Sequence, residues 1–391
     1  MKKEKNAKTA AKPAPSLKKD REMPFYVVKR GDAAKTPGRS ILIHGGAILI
    51  ALLLCGIATI FVTGDNPISI YATMFKGAFG DAHNLWKTLQ DIAILLCVSL
   101  AVTPAFKMRF WNTGAEGQVL ISALATAMCM FYLGGAVPTP VLMLIMILCS
   151  ILAGVIWAVV PAVFKAFWGT NETLFTLMMN YVAIQLVEVF LKVADKSGSN
   201  TVGPNLLKHG WFPELFGQKY LLNILIVAVL TVLVYIYLKY SKQGYEISVV
   251  GESENTARYI GVNVKKVIIR TMVVSGALCG VAGLLLVAGT SHSIDSNLVG
   301  GRGFTAIMVS WLAKFDPLMM VLTTLLLVFL DRGASEVTTN FGLNSAYSEI
   351  LTGVIIFFII GCEFFINYKV MINRNHPFFK KKEQEAAKEV L

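Results

Sequence analysis

Long unbroken apolar runs constrain what this 391-residue chain can fold into more than any other feature. They lie near 41–62, 85–106, 116–135, 138–163, 173–192, 220–239, 267–289, 303–314, 317–331 and 347–367. A helix needs about 20 mostly apolar residues to cross a bilayer. A backbone in lipid must satisfy its own hydrogen bonds, which leaves helices or closed barrels, and the runs show no two-residue alternation of the barrel kind. The expected fold is therefore an all-α polytopic membrane protein with about ten transmembrane helices, some of them short. Composition agrees, at 55% apolar, 15% charged and a mean hydropathy of +0.61.

Charge sets the orientation. The first 40 residues hold 12 Lys/Arg against four Asp/Glu, which is +8 of the chain's net +12. Such a tail is too long and too charged for the n-region of a cleaved signal, and its Ala/Lys/Pro start has the composition of a disordered segment. Basic segments stay on the cytoplasmic side, so topology accounts for this tail better than nucleic-acid binding does. Ten spans then return the basic C-terminus to the cytoplasm as well. The loop from Lys239 to Arg270 holds six Lys/Arg and falls inside, whereas the loop at 193–219, also lysine-bearing, falls outside. The expected organisation is a tail at 1–40, a membrane domain at 41–367 with a cytoplasmic loop at 240–266, and a second tail at 368–391. Within that loop, "SENTARYIGV" has helical spacing, with Ser253 as N-cap and Gly261 as stop.

Several chemistries are missing. No GxxxxGK[ST] loop is present, so ATP hydrolysis by a P-loop is not expected of this chain. The five histidines are scattered, and the six cysteines all sit inside apolar runs without a CxxC pair; no metal site and no catalytic residue is expected. "NET" at 171–173 fits a glycosylation acceptor but falls on the cytoplasmic side.

Polar groups at membrane depth stand out against this background: Asn112, Glu116 and Gln118; Asn171 and Glu172; Asn180 and Glu188; Thr305 and Ser310. An ionisable group in a span costs at least about 2.5 kcal/mol at its centre unless it is paired or faces water. The alternatives are a carboxylate at a helix N-terminus, for Glu116 and Glu172, and an amide bridging two helices, for Asn180. Asp331 and Glu349 flank a predicted outer loop and read as solvated. Two glycine-rich phrases, "NTGAEGQ" at 112–118 and "GGRGFT" at 300–305, each follow a full apolar run and open into a segment of small residues. The first falls toward the cytoplasm and the second toward the outside, a pattern that points to inverted repeats around a central route. Gly114, Gly117, Gly301 and Gly303 are the expected helix-break positions.

Four stretches resemble permease subunits of ATP-binding-cassette importers for nucleosides, in the group that also carries ribose, other simple sugars and branched-chain amino acids. They are "FWNTGAEGQVLISALATA", "GTNETLFTLMMNYVA", "GYEISVVGESENTARYIGVNVKKVIIRTMVVSGALCGVAG" and "GRGFTAIMVSWLAKFDPL", in the family's order across most of 110–320. The resemblance implies a transporter permease, not an enzyme, in a bacterial cell membrane. It implies a separate cytoplasmic ATPase subunit that binds ATP and Mg, a second permease that is a paralogue or an identical copy, and an extracytoplasmic binding protein or lipoprotein. No cofactor is expected in this chain. The resemblance makes the helix at 252–261 the coupling element, with Glu252, Asn255, Ala257, Arg258 and Tyr259 as its docking face and Gly261 as its turn. For the substrate pathway it points to Asn112, Glu116, Gln118, Asn171, Glu172, Asn180 and Thr305 as polar contacts and to Trp111, Phe304 and Trp311 as stacking surfaces. The alternatives are a permease for ribose or another small polar metabolite and a stand-alone ion-coupled transporter.

Overall fold

The computed structural model describes residues 25–29, 66–195, 200–342 and 368–372, with isolated positions within 53–60 and 344–361. Most of the first tail, most of the apolar runs at 41–62 and 347–367, Cys55, Cys362, Glu349 and the end of the second tail lie outside the described residues. The chain divides into two units, Met1–Cys55 with Val354–Leu391, and Gly56–Gly353. In the first, strand β1 (Phe25–Lys29) pairs antiparallel with a late strand, Tyr368–Ile372, in the register Phe25 to Ile372.

The second unit is helical. Its elements are α1 (Pro67–Phe79), α2 (Ala82–Lys107), α3 (Ala115–Leu133), α4 (Thr139–Trp168), α5 (Glu172–Ala194), β2 (Thr201–Val202), α6 (Leu221–Tyr240), α7 (Lys242–Glu252), α8 (Glu254–Tyr259), α9 (Val264–Leu286), β3 (Ile294–Asp295), α10 (Arg302–Leu312) and α11 (Pro317–Asn340), and the late strand of the first unit is β4. A π turn at Val287–Ser291 extends α9. Among the described residues seven helices are long and apolar enough to cross a membrane: α2, α3, α4, α5, α6, α9 with its π turn, and α11. Buried fractions identify the axis of the bundle, because 89% of the apolar segment of α2 and 78% of that of α9 are covered, against 22% for α4 and 28% for α6.

Small residues decide how closely α9 packs. A Cβ on Gly276 would lie 2.5 Å from the Gly154 carbonyl of α4, one on Gly280 2.6 Å from Ile151 Cα, and one on Gly283 2.6 Å from the Ala123 nitrogen of α3. Close backbone approach through small residues replaces the hydrophobic drive that lipid cannot supply. Ser150 donates to the Gly280 carbonyl at the same contact.

The run at 303–314 departs from the sequence reading. It forms α10, whose 11 residues span about 16 Å at 1.5 Å per residue and cannot cross a bilayer alone. Its start follows Gly300 and Gly301, both in the left-handed region (φ 61° and 76°), and its end passes through Lys314 and Phe315, left-handed too (φ 52° and 61°). Asp316 then caps α11 by accepting from Leu318 N and Met319 N. The apolar count saw the run but not the turns that cut it short. In the same way α1, capped by Asn66 with Pro67 in its first turn, was not expected, because its 13 residues fall below spanning length.

Candidate functional site

The polar phrase after α2 is where a chain reversal inside the bundle satisfies its own backbone. Arg109 turns the chain with φ 61°. Asn112 and Gln118, 0% and 1% exposed, face each other through two amide hydrogen bonds, Asn112 Nδ2 to Gln118 Oε1 at 3.2 Å and Gln118 Nε2 to Asn112 Oδ1 at 3.1 Å. Asn112 Oδ1 also accepts from Gly114 N, and Gln118 Oε1 accepts from Cys279 Sγ of α9. From α5, Asn180 Oδ1 accepts from Gly117 N at 2.9 Å while its Nδ2 donates to the Thr113 carbonyl at 3.0 Å. Every polar atom that desolvation would penalise thus has a partner. Gly117 must be glycine, since a Cβ there would lie 2.7 Å from Asn180 Oδ1 and 2.9 Å from its Cα. Gly114 faces Thr176 as closely, at 2.9 Å.

Glu116 turns the other way, toward α10. Its Oε1 accepts from Gly301 N at 2.8 Å and its Oε2 from Gly303 N at 2.7 Å, so a carboxylate of α3 caps the start of α10, where the helix dipole favours negative charge. The two glycine-rich phrases, expected at opposite membrane faces, therefore meet at one place. The reason is that α10 starts partway through the bundle instead of at its surface. The carboxylate at a helix N-terminus was the right reading for Glu116, but the helix is α10 as well as its own.

Between the two glycines, Arg302 reaches Asp91 of α2, Nη2 to Oδ1 at 3.4 Å, and Arg332 of α11 gives Nε to Asp91 Oδ2 at 2.6 Å. One carboxylate joins three helices. The side chains are 20% exposed for Asp91, 33% for Arg302 and 32% for Arg332. Asp91 lies about 13 Å along α2 by helical rise, which places this charge cluster well inside the bundle. Sequence reading missed all three. Asp91 is a charge inside an apolar run, while Arg302 lies within the glycine-rich phrase and Arg332 just past the run at 317–331, and the neighbour that was noted, Asp331, is exposed.

The other expected pathway residues divide. Asn171 caps α5 by accepting from Leu174 N at 3.2 Å, and Glu172 pairs with Lys165 at 2.8 Å. Both serve helix ends here. Thr305 Oγ1 donates to the Gly301 carbonyl, and Ser310 bonds the Ser99 carbonyl of α2 at 3.1 Å. Trp111 and Trp311, 200 residues apart in the chain, lie with ring centroids 5.5 Å apart at 42°, and are 44% and 51% exposed. Phe106 and Phe315 flank them, and Phe304 is 43% exposed on α10. Among the described residues no cluster of His, Cys, Asp or Glu could hold a metal ion.

The family described as branched-chain amino acid transport system / permease component matches residues 84–360, which include every element of this site. The chain belongs to this permease family. The permease is 27% identical over 323 residues to the guanosine ABC transporter permease protein NupP of Bacillus subtilis, covering 80% of this chain and 91% of that one. It is 28% identical over 336 residues to the nucleoside ABC transporter permease protein NupB of Lactococcus lactis subsp. cremoris, covering 82% and 91%. It is also 28% identical over 339 residues to the glucose ABC transporter permease protein TsgB13 of Haloferax volcanii, covering 83% and 88%. The permease is a multi-pass membrane transport subunit and not an enzyme, and its ATPase is a separate subunit.

The loop at 240–266 of the permease folds as α7 and α8. Ser253 caps α8 by accepting from Thr256 N at 3.2 Å, and Gly261 ends it with φ 86°, as the spacing predicts. Tyr259 is 92% exposed, Ile260, Arg258, Asn255 and Glu252 are exposed, and Ala257 is fully buried. Ala257 is thus an anchor and not part of the projecting face on which it was expected, because it lies on the side of this single turn that packs inward. Among the described residues Arg258 pairs with Glu254 at 3.3 Å, both solvated, a contact worth under about 1 kcal/mol. The anchor is firm: a Cβ on Gly251 would meet the Lys107 carbonyl at the end of α2, and Arg270 of α9 binds Glu246 of α7 at 2.7 Å.

Proposed function

We propose that this permease is the membrane subunit of an importer that moves nucleosides across a bacterial cytoplasmic membrane. It works with a cytoplasmic ATPase that holds ATP and Mg, a second permease that is a paralogue, and an extracytoplasmic binding protein. Ten crossings put both termini in the cytoplasm, in an arrangement of inverted repeats with tails at 1–40 and 368–391 and a membrane domain at 41–367. The eighth crossing is made by the 292–301 loop and α10 together. Pairing of β2 with β3 supports this topology, since it joins two loops that the count of spans puts outside, and the cytoplasmic loop at 240–266 carries the exposed face of α8.

The observation that carries the substrate reading is the half-exposed Trp111–Trp311 pair at the end of α10, with the carboxylate of Glu116 and the hydroxyl of Thr305 at the other end of the same helix, about 14 Å away by helical rise. A nucleoside base needs a flat apolar surface and its sugar needs hydrogen-bond partners. The names of the NupP and NupB relatives favour nucleosides. The name of the TsgB13 relative supports a second reading, a simple sugar, in which the tryptophans would stack on a pyranose face. Alternating access follows from two packings of the bundle, biased by nucleotide in the ATPase and transmitted through Arg258 and Tyr259.

The test is uptake of labelled uridine and adenosine by cells with the intact transporter, with ribose and glucose as competitors. Uptake that Trp111→Ala abolishes, that depends on ATP hydrolysis by the partner and that neither sugar competes with supports the reading. Full competition by a sugar replaces the substrate, and uptake without the ATPase subunit replaces the mechanism with an ion-coupled one.

A further inference from the structure

We propose that Asp91 is a positioning residue for transport, which holds α10 in one of its two placements through Arg302 and Arg332 and releases it in the other. The inference rests on the importer reading but not on which solute is carried.

Three features of the structure converge on it. Residues 301–303 are gripped from two sides: Glu116 of α3 takes the amides of Gly301 and Gly303, and Asp91 of α2 takes the Arg302 side chain between them. The other oxygen of Asp91 is held by Arg332 of α11, so a single carboxylate links α2 to both α10 and α11 at the start of α10, while Ser310 ties the far end of α10 to α2.

The element being held is built to pivot. α10 is a rod of 11 residues between two left-handed breaks, Gly300–Gly301 before it and Lys314–Phe315 after it. A Cβ on Gly301 would meet nothing within 4 Å, and one on Gly300 nothing nearer than 3.8 Å. Backbone freedom and open space coincide at the end that the charges hold, as hinges require.

The ion pairs can also be exchanged. Their side chains are 20% to 33% exposed although they lie well inside the bundle. A charge at this depth must face water or a partner, since lipid would penalise it. Their exposure leaves each charge open to another polar group when the pair parts, whereas the buried Asn112–Gln118 pair has no such opening.

The experiment places a reporter cysteine at Met308, on the half-exposed face of α10, in the full transporter in cells. Its reaction with a membrane-impermeant thiol reagent is read above the signal of the native cysteines, beside uridine uptake at matched membrane levels. Asp91→Asn is expected to speed labelling and lower maximal uptake by about five- to tenfold each, the lower range of coupling between two sites, with the half-saturating uridine concentration unchanged. Asp91→Glu, which keeps the charge, is expected to restore most of both. Unchanged labelling overturns the inference. So does a raised half-saturating concentration with normal labelling, which would make Asp91 a solute contact. If Asp91→Asn does not reach the membrane, Arg332→Gln, which leaves the Arg302 pair in place, is judged by the same readouts. Absence of uridine uptake in the unaltered chain would reject the substrate named above, while the labelling comparison would still decide the role of Asp91.

Discussion

Two polar clusters sit within one bundle and differ in charge and in exposure, one of neutral amides and buried, the other of ions and part-exposed. The Asn112–Gln118–Asn180 group is dry and ties α3 to α5 and α9. The Asp91–Arg302–Arg332 group is partly wet and ties α2 to α10 and α11. A buried amide that loses its partner costs about 1–3 kcal/mol, because nothing replaces the lost bond. A part-exposed ion pair costs less to open than a fully buried one, whose loss of a partner costs about 3–5 kcal/mol. The dry cluster therefore fixes a helix contact, and the wet one can be made and broken within a transport cycle.

That contrast breaks most easily at the glycines beneath the dry cluster. Gly117→Val is expected to destabilise by about 3 kcal/mol, because overpacking here meets the backbone at Asn180 Cα as well as the hydrogen-bonded Asn180 Oδ1; thermal unfolding in detergent should show the largest loss of this set. A variant that melts like the parent would mean α3 and α5 are not in this contact. Gln118→Leu should cost about 1–3 kcal/mol, and Asn112→Leu added to it should cost much less than the sum, since both remove the same bonds. Simple additivity in that double-mutant cycle would show that the two amides do not pair.

The wet cluster should behave differently. Arg332→Gln is expected to change melting by about 1 kcal/mol or less while lowering uptake, and a large melting shift would place it with the dry group. Arg258→Ala should leave melting unchanged, because its ion pair with Glu254 is solvated, yet abolish uptake coupled to ATP hydrolysis; normal coupling would remove α8 from the docking face. The smallest effect concerns His292, stacked on Trp211 with centroids 4.2 Å apart. Burial holds its pKa below the usual 6.5, and Lys219 adds to this, against a hydrogen bond accepted by the Val287 carbonyl, which acts to raise it. The unfolded chain then binds the proton more readily, so this contribution is complete above pH 6.5 and declines as pH falls below it. Melting between pH 7.5 and pH 5.5 should fall less in His292→Gln than in the parent, and equal slopes would show that this group does not titrate with folding.

Reading the chain alone worked where the signal was local. Asn112, Glu116 and Gln118 stood out because polar residues between two apolar runs need a reason, and the structure supplies one in their hydrogen bonds. Ser253 and Gly261 were legible as cap and stop because capping uses neighbours in sequence. Asp91, Arg302 and Arg332 were not legible. Their bonds cross 211 and 241 residues, and an isolated charge in a sequence looks the same whether it meets a partner, water or a helix end. Ala257 was misassigned because a turn of only six residues has too little periodicity to show which side packs inward.

What the sequence determined by itself was the class of solvent around the chain, the order of its apolar helices and the two breaks rich in glycine, because hydropathy and turn chemistry act over a few residues. Only the tertiary structure decided that the two breaks touch, that α10 stops short and that one carboxylate joins three helices. Those outcomes depend on how closely the helices pack, and Gly276, Gly280 and Gly283 set that distance through contacts with α4 and α3 more than 120 residues away in the chain.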